Sequence, residues 1–149
     1  MVRADGSAHI IVTNDENRKR TAVSVPPIVA VVDDDESMRD ALEALIDSLG
    51  YRARTFASAD DYLRSKGEVD VGCMILDVQM PGTNGLDLQT QLVEANAAPP
   101  IIFVTSYGDD NVRRRAMRGG ALYVLEKPVQ DRVIIRCLEE ALASHQGDA

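Results

Sequence analysis

The sequence predicts a three-layer α/β/α fold in which helices cover both faces of a parallel sheet. Two observations carry this prediction: short apolar runs alternate five times with helical patterns, and most of these runs are apolar along their whole length. Regular alternation of strands and helices is typical of parallel sheets with right-handed crossovers. Strands without a polar face indicate that both sides of the sheet are covered. The length of 149 residues fits one such domain.

The first βα unit begins with an apolar run at residues 28–32. A run of this length, stopped by an acidic cluster, is typical of a buried strand. The following apolar residues recur with the spacing of one helix face, and Gly50 ends this predicted helix. Its inward-facing residues are Met38, Leu42, Leu45 and Leu49.

The second and third units contain a short helix and a turn-rich loop. Residues 51–56 form the second predicted strand, and a capping-box pattern at residues 58–61 opens a helix that runs to about Lys66. Residues 71–76 form the third strand, again apolar throughout. The segment 81–85 is dense in turn residues and precedes the third helix. The inward residues predicted for that helix are Leu88, Leu92 and Val93.

The last two units complete the predicted sheet. Residues 101–104 form the fourth strand, and a polar helix follows at residues 109–118, where two glycines end it. Residues 121–125 form the fifth strand. The last helix is predicted at about residues 129–143, with an apolar face made by Ile134, Cys137, Leu138 and Ala141.

The chain is acidic overall, but its first 27 residues are not. The net charge is −8, and residues 1–27, with four basic and three acidic residues, carry +1, so the remainder carries −9. Repulsion from phosphates makes such a domain a poor nucleic-acid binder and a suitable host for a cation. The polar composition of residues 1–27 predicts a disordered N-terminal tail, and we expect residues 145–149 to form a C-terminal tail.

The two cysteines, Cys73 and Cys137, lie in apolar stretches. Two such residues make neither a disulfide framework nor a typical metal site, so we expect buried free thiols in a reducing compartment. The sequence has no secretory signal pattern and no apolar run near 18 residues. These features together predict a cytoplasmic protein.

Polar residues follow four of the five predicted strands. An acidic run at residues 33–36 follows the first strand, Asp77 the third, Thr105 and Ser106 the fourth, and Lys127 the fifth. Ligands of open parallel sheets bind at the carboxyl ends of the strands, at the topological switch point. We therefore expect these polar groups to meet at one edge of the sheet.

Three of the expected site residues are carboxylates: Asp33, Asp34 and Asp77. Ionised carboxylates packed together repel unless a cation lies among them, and Mg²⁺ is suited because it also coordinates phosphate oxygens. With Thr105 as a donor and Lys127 as a cation, the set fits phosphoryl transfer onto a carboxylate nucleophile. Taken singly, each residue has a structural reading as a helix cap, a loop residue or a solvated charge. Their joint arrival at one edge favours the functional reading.

These residues resemble the receiver domain of bacterial two-component response regulators over roughly residues 27–144. The motifs that carry the resemblance are Val31-Val32-Asp33-Asp34-Asp35-Glu36-Ser37-Met38-Arg39, Ile75-Leu76-Asp77-Val78-Gln79-Met80-Pro81-Gly82-Thr83-Asn84-Gly85, Val104-Thr105-Ser106 and Glu126-Lys127-Pro128. The Met-Pro-Gly turn and the Glu-Lys-Pro ending are most similar to receivers of the nitrogen-fixation regulator type. The resemblance implies a doubly wound sheet in the flavodoxin-like order 2-1-3-4-5, with the receiver domain at residues 28–144.

The resemblance also implies roles. Asp77 would accept the phosphoryl group from a sensor histidine kinase or a phosphotransfer protein, Thr105 would be the switch hydroxyl, and Lys127 would pair with the phosphoryl group. The domain would act as a phosphoacceptor in phosphorelay signalling rather than as an enzyme, with only slow autodephosphorylation. The Lys127–Pro128 peptide bond would be cis. The implied Mg²⁺ ligands are Asp34 directly, Asp33 largely through water, Asp77, and the backbone carbonyl of Gln79.

One position departs from the family pattern. The family usually has an aromatic residue three places before the lysine, where this chain has Val124, while Tyr123 lies one place earlier and therefore on the opposite face of the strand. Either a smaller movement of Val124 or participation of Tyr107 would replace the usual coupling. We still expect output to a downstream protein through the fourth helix, fifth strand and fifth helix, and the resemblance allows a phosphorylation-dependent homodimer.

Two rival functions remain open at this point. An enzyme that works through an aspartyl phosphate would usually need a second carboxylate two residues after Asp77, and that position is Gln79. A degenerate receiver that only binds proteins would not need the complete set of site residues, although the displaced aromatic residue favours it mildly. Because the sequence stops soon after the last helix, we expect either a stand-alone receiver or a fragment of a longer regulator, with no direct nucleic-acid binding.

Overall fold

The computed structural model describes residues 25–65 and 70–147 of the chain, so the predicted tail at residues 1–27 lies outside the described part except for its last three residues. The strands are β1 (Ile28–Val32), β2 (Arg52–Phe56), β3 (Val71–Leu76), β4 (Ile101–Thr105) and β5 (Tyr123–Glu126). The helices are α1 (Glu36–Ser48), α2 (Ala59–Ser65), α3 (Gly85–Glu94), α4 (Asp110–Arg118) and α5 (Asp131–Gly147). In these two described stretches, no helix has both the length and the apolar character needed to cross a membrane.

The five strands form one parallel sheet in the order β2-β1-β3-β4-β5. Alternate strand residues point to opposite faces, and each face has its own apolar cluster. One cluster contains residues of α1 and α5, and the other contains residues of α2, α3 and α4. The predicted three-layer fold and strand order are therefore confirmed.

Helix ends follow the predicted signals closely. The Asp61 N–H donates to the Ser58 hydroxyl at 3.0 Å, as the capping-box pattern indicates. Gly50 has φ +87° just after α1, a left-handed conformation that glycine adopts at least cost. At the other end of the chain, α5 begins two residues later than expected and continues past the predicted end near residue 143.

The inward residues predicted for α3 are corrected at one position. Leu88 and Leu92 are fully buried, but Val93 is 48% exposed, so its prediction as a core residue is wrong. The polar Gln89 is buried instead, because its side-chain amide donates to the Ala116 carbonyl of α4 at 2.9 Å. A satisfied hydrogen bond between the helices makes this burial of a polar group favourable.

The cysteines are as the sequence predicts. Cys73 and Cys137 are both buried free thiols, on the α1–α5 side of the sheet. Burial raises the pKa of the Cys73 thiol to about 12, and burial also raises the pKa of Cys137. Both groups are therefore protonated and unreactive near neutral pH.

The loop between β3 and α3 is closed by a glycine that packs against the backbone at the end of β3. The Gly85 N–H donates to the Val78 carbonyl at 2.9 Å. A Cβ atom at Gly85 would lie 2.0 Å from the backbone oxygen of Asp77 and 2.9 Å from its carbonyl carbon. Because these neighbours are backbone atoms, they cannot rotate away, and only glycine permits this approach.

We predict that Gly85→Ala lowers the free energy of unfolding by about 2 kcal/mol or more, because the added methyl group forces the loop away from the end of β3. The measurement is urea unfolding followed by circular dichroism. Gly108→Ala is the matched control, since its Cβ would meet no atom closer than 3.7 Å. A Gly85→Ala variant as stable as the Gly108→Ala variant would contradict this close packing of Gly85 against the end of β3.

Candidate functional site

Three site residues are placed by the backbone just beyond the strands. Asp33, Asp77 and Lys127 each follow the last residue of a strand, and each backbone N–H donates to the last residue of the neighbouring strand, at 3.1, 3.0 and 2.9 Å. The parallel hydrogen-bond ladder thus continues one residue past the strands. This extension fixes the three side chains at the carboxyl edge of the sheet, where the sequence predicts the site.

Three carboxylates meet at this edge. Asp33, Asp34 and Asp77 each offer an oxygen, and these oxygens lie within 4.8 Å of one another. Asp33 and Asp77 are buried, with 3% and 6% of their surface exposed, whereas Asp34 is exposed. The cluster therefore has a buried floor and one side open to solvent, an all-oxygen donor set that suits a hard divalent cation.

Lys127 bridges the two buried carboxylates. Its ammonium nitrogen lies 2.9 Å from Oδ2 of Asp33 and 3.2 Å from Oδ2 of Asp77. The other oxygen of Asp77, Oδ1, accepts a hydrogen bond from the Val78 N–H at 2.7 Å. Both carboxylates are consequently held in fixed orientations by donors on either side.

Burial and neighbouring charges shift the pKa values of Asp33 and Lys127. Burial raises the pKa of Asp33, an effect that exceeds the opposing hydrogen bonds from the Asp35 N–H and Lys127, and the negative charge of Asp77 adds to it. Burial alone lowers the pKa of Lys127, but its hydrogen bond and attraction to Asp33, together with the charge of Asp77, outweigh burial and raise that pKa overall. Lys127 therefore stays charged at neutral pH.

The acidic residues in the loop between β1 and α1 make different hydrogen bonds and have different roles. Asp35 caps α1, because its side chain accepts from the Ser37 N–H at 2.9 Å, so the capping interpretation is correct for this residue. Asp33 instead turns inward and accepts from the Asp35 N–H at 2.9 Å. Sequence reasoning gave no role to Arg39, whose guanidinium donates to the backbone carbonyl of Asp33 at 2.8 Å.

Thr105 lies at the end of β4 and is fully buried. Its hydroxyl oxygen accepts a hydrogen bond from the Tyr107 N–H at 3.1 Å, and its backbone carbonyl accepts from Lys127. The ring of Tyr107 is exposed. Thr105 is thus linked both to the lysine of the site and to the loop that opens α4.

The residues around the displaced aromatic position lie as the sequence predicts. Val124 is buried in the cluster beside α3 and α4, whereas Tyr123 packs on the opposite face and its hydroxyl donates to Glu140 of α5. The backbone carbonyl of Val124 accepts from the Arg113 guanidinium at 2.9 Å. Tyr123 therefore cannot substitute for an aromatic residue at position 124 without changing faces.

Two further expectations concern the loops that flank the site. Gln79 lies in the β3–α3 loop two residues after Asp77, with an exposed side chain. The Lys127–Pro128 peptide bond is cis, as the resemblance implies. The described residues at the end of β2 add no acidic group to the cluster.

Known sequences are similar to this chain over most of its length. A family model described as the response regulator receiver domain matches residues 29–139. Nodulation protein W of Bradyrhizobium diazoefficiens is 44% identical over 115 residues, which cover 77% of this chain and 51% of that protein. Transcriptional regulatory protein FixJ of the same organism is 35% identical over 114 residues, covering 76% of this chain and 56% of that protein.

Solved structures give the same result. The crystal structure of FixJ-N matches with a TM-score of 0.73 and 31% identity, and the match covers 80% of this chain and 96% of that one. The chain spans about half the length of the curated relatives it matches.

We predict that Lys127→Met destabilises the fold by about 1–3 kcal/mol at pH 8 in the presence of EDTA, because two buried carboxylates lose their counter-ion. Because the pKa of Asp33 is raised, this carboxyl group is neutralised as the pH falls. The deficit, meaning the loss in free energy of unfolding of Lys127→Met relative to wild type, is therefore smaller at pH 5. The raised pKa of Lys127 keeps the wild-type contribution intact over this window, since it is lost only as the pH rises past that pKa.

Urea unfolding at both pH values measures this effect, with Lys127→Arg as a control that keeps the positive charge. A deficit for Lys127→Met that is equal at pH 5 and pH 8 would show that charge pairing is not its cause.

Proposed function

Because the chain belongs to the response regulator receiver domain family, and is thus a domain of two-component signalling, we propose that it accepts a phosphoryl group on Asp77 in a Mg²⁺-dependent reaction. The observation that carries this proposal is the convergence of three carboxylates within 4.8 Å, two of them bridged by Lys127. Receiver domains of this family interact with histidine kinases and downstream effectors. The expected donor is therefore a histidine kinase or a phosphotransfer protein.

The donor set supports Mg²⁺ as the ion. The three carboxylates of the cluster offer only oxygen ligands, Lys127 contacts two of them, and the exposed Asp34 leaves one side open for water and phosphate oxygens. We assign Asp34 as a direct ligand, Asp33 as a ligand acting largely through water, and Asp77 and the Gln79 carbonyl as further ligands. When bound, the ion would neutralise negative charge on the transferring phosphoryl group.

In the proposed reaction, a carboxylate oxygen of Asp77 attacks the phosphorus of a phosphohistidine in line with the leaving nitrogen. An O–P bond forms, the P–N bond breaks, and the histidine nitrogen keeps the electron pair. The Val78 N–H holds Oδ1 of Asp77, which limits rotation of the nucleophile. Lys127, already 3.2 Å from Oδ2, is within reach of a phosphoryl oxygen on the same carboxylate.

The new phosphoryl oxygens would then compete for the Thr105 hydroxyl. That hydroxyl now accepts from the Tyr107 N–H, so a rotation toward the phosphoryl group would release the loop that opens α4. Shifting a two-state equilibrium from 1:99 to 99:1 requires about 5.5 kcal/mol of differential interaction. A charge-assisted site with a metal ion and a lysine is a reasonable source of much of that energy.

The proposed domain is a phosphoacceptor rather than an enzyme. Efficient hydrolysis of an aspartyl phosphate needs a group that activates water, and Gln79 lies where an aspartyl-phosphate enzyme would place a second carboxylate. We therefore expect slow autodephosphorylation only.

The proposed output is a protein contact rather than nucleic-acid binding. The surface of α4, β5 and α5 is our candidate for the downstream contact and for a phosphorylation-dependent homodimer. The Arg113 guanidinium of α4 donates to the Val124 carbonyl of β5. A movement of α4 would therefore change the position of α4 relative to β5 on this surface. A cytoplasmic location follows from the proposed kinase partner and fits the two buried free thiols.

We predict that wild-type protein incubated with acetyl phosphate and Mg²⁺ gains one phosphoryl group, whereas Asp77→Asn gains none, because the amide is not a nucleophile. Intact-mass spectrometry gives the readout. Asp87→Asn, which changes an exposed acid on α3, is the control and should label as wild type. Labelling of Asp77→Asn at the wild-type level would refute the assignment of the acceptor.

We also predict that Asp34→Asn weakens Mg²⁺ binding about tenfold or more, because a charged ligand is lost from the open side of the cluster. Isothermal titration calorimetry measures the affinity. Asp35→Asn is a close control, since it removes a neighbouring charge while asparagine still caps α1. Equal affinities for the two variants would exclude Asp34 as a ligand.

A further inference from the structure

Arg39 occupies a place in α1 that the helix dipole disfavours, although the acidic run at residues 33–36 precedes it. It lies four residues after the cap Asp35, at the end of the first helical turn, where its N–H donates to the Asp35 carbonyl at 3.0 Å. The amino end of a helix carries partial positive charge, so a cation there is unfavourable by about 0.3–1 kcal/mol. A residue that breaks a local rule calls for a compensating interaction.

That interaction is the hydrogen bond from the Arg39 guanidinium to the backbone carbonyl of Asp33, at 2.8 Å in a partly buried position. Helical side chains lean toward the amino end of their helix, which brings the guanidinium back over the β1–α1 loop. The carbonyl of Asp33 belongs to the same planar peptide unit as the backbone nitrogen of Asp34. By holding this peptide plane, Arg39 sets the direction in which the chain enters Asp34.

With Arg39 included, all the polar groups of Asp33 are engaged. Its backbone N–H bonds β2, its Oδ1 accepts from the Asp35 N–H, its Oδ2 accepts from Lys127, and its carbonyl accepts from Arg39. Asp33 is thus anchored on every side, while the exposed Asp34 makes no hydrogen bond with the described residues. The anchored residue determines where the free one can place its carboxylate.

We propose that Arg39 is a positioning residue for the cation site, which it serves by holding the Asp33–Asp34 peptide plane. This inference rests on the proposed function, in which Asp34 binds the metal ion. The positioning role and a simple charge effect predict opposite changes in Mg²⁺ affinity when Arg39 is replaced. Removing a nearby positive charge should strengthen Mg²⁺ binding, whereas loss of the positioning hydrogen bond should weaken it.

The variant that separates these effects is Arg39→Met, which keeps the apolar stem but has neither charge nor donor. We expect it to bind Mg²⁺ about tenfold more weakly than wild type, as is typical when a group supporting a metal ligand is removed. Arg39→Lys, which restores a donor of similar reach, should recover most of the affinity. Arg114→Met removes a charge from α4, where the side chain bonds Asn111, and should bind as wild type.

Calorimetric Mg²⁺ titration of the full 149-residue chain is the first readout. An Arg39→Met affinity that rises would show that Arg39 acts only as a charge, and an unchanged affinity accompanied by lower stability would show a purely structural role. Either result overturns the proposal. Failure of Arg39→Lys to restore binding would also count against it.

The second readout needs neither metal nor phosphodonor. The Asp35 N–H donates to Oδ1 of Asp33, and this hydrogen bond requires the loop conformation that Arg39 holds. The rate of hydrogen exchange at the Asp35 amide, measured in EDTA, therefore reports whether the loop keeps that conformation. We expect faster exchange at this amide in Arg39→Met but not in Arg114→Met. Unchanged exchange would refute the positioning role. If wild type binds no Mg²⁺ but the Asp35 amide still exchanges faster in Arg39→Met, the result would support the role of Arg39 in holding the loop and would refute the proposed function.

Discussion

The attraction between the Lys127 ammonium and the carboxylates of Asp33 and Asp77 is the interaction on which the site depends. Two buried acids beside a third would repel one another strongly if no cation lay among them. One lysine at 2.9 and 3.2 Å from the two buried acids reduces that repulsion without removing it. The remaining negative charge lies at the open side, beside Asp34, and this residual imbalance is the reason for proposing a cation site at this edge.

The sheet and the loops position the site residues in different ways. The strand ladder places Asp33, Asp77 and Lys127 by backbone hydrogen bonds, which no side-chain substitution nearby can easily move. The loops need their own devices: Gly85 allows the β3–α3 loop to pack against the end of β3, and Arg39 holds the β1–α1 loop. Backbone hydrogen bonds thus position the floor of the site, and individual side chains position its loops.

The proposed link from the site to the protein surface runs through α4 rather than through an aromatic side chain. Thr105 is hydrogen-bonded to the loop that opens α4, and Arg113 connects α4 to the Val124 carbonyl of β5. Val124 itself is packed in the core, with no bulky ring to rotate. The first hydrogen bond joins the proposed phosphoryl site to the loop before α4, and the second joins α4 to β5.

The sequence by itself determined the fold class, the strand positions and the edge at which the polar residues meet, because apolar runs and turn residues act locally and parallel strands share one carboxyl end. It also indicated that Val124 and Tyr123 lie on opposite faces, since side chains of a strand alternate between faces. Only the tertiary structure decided which members of the acidic run face inward, why Gln89 rather than Val93 is buried, and what Arg39 holds. These depend on hydrogen bonds that form only in the folded chain. Gln89 bonds Ala116 of another helix and Lys127 bonds Asp33 across the sheet, while Arg39 reaches back only to the nearby loop. The pattern of apolar and turn residues does not encode such side-chain partners.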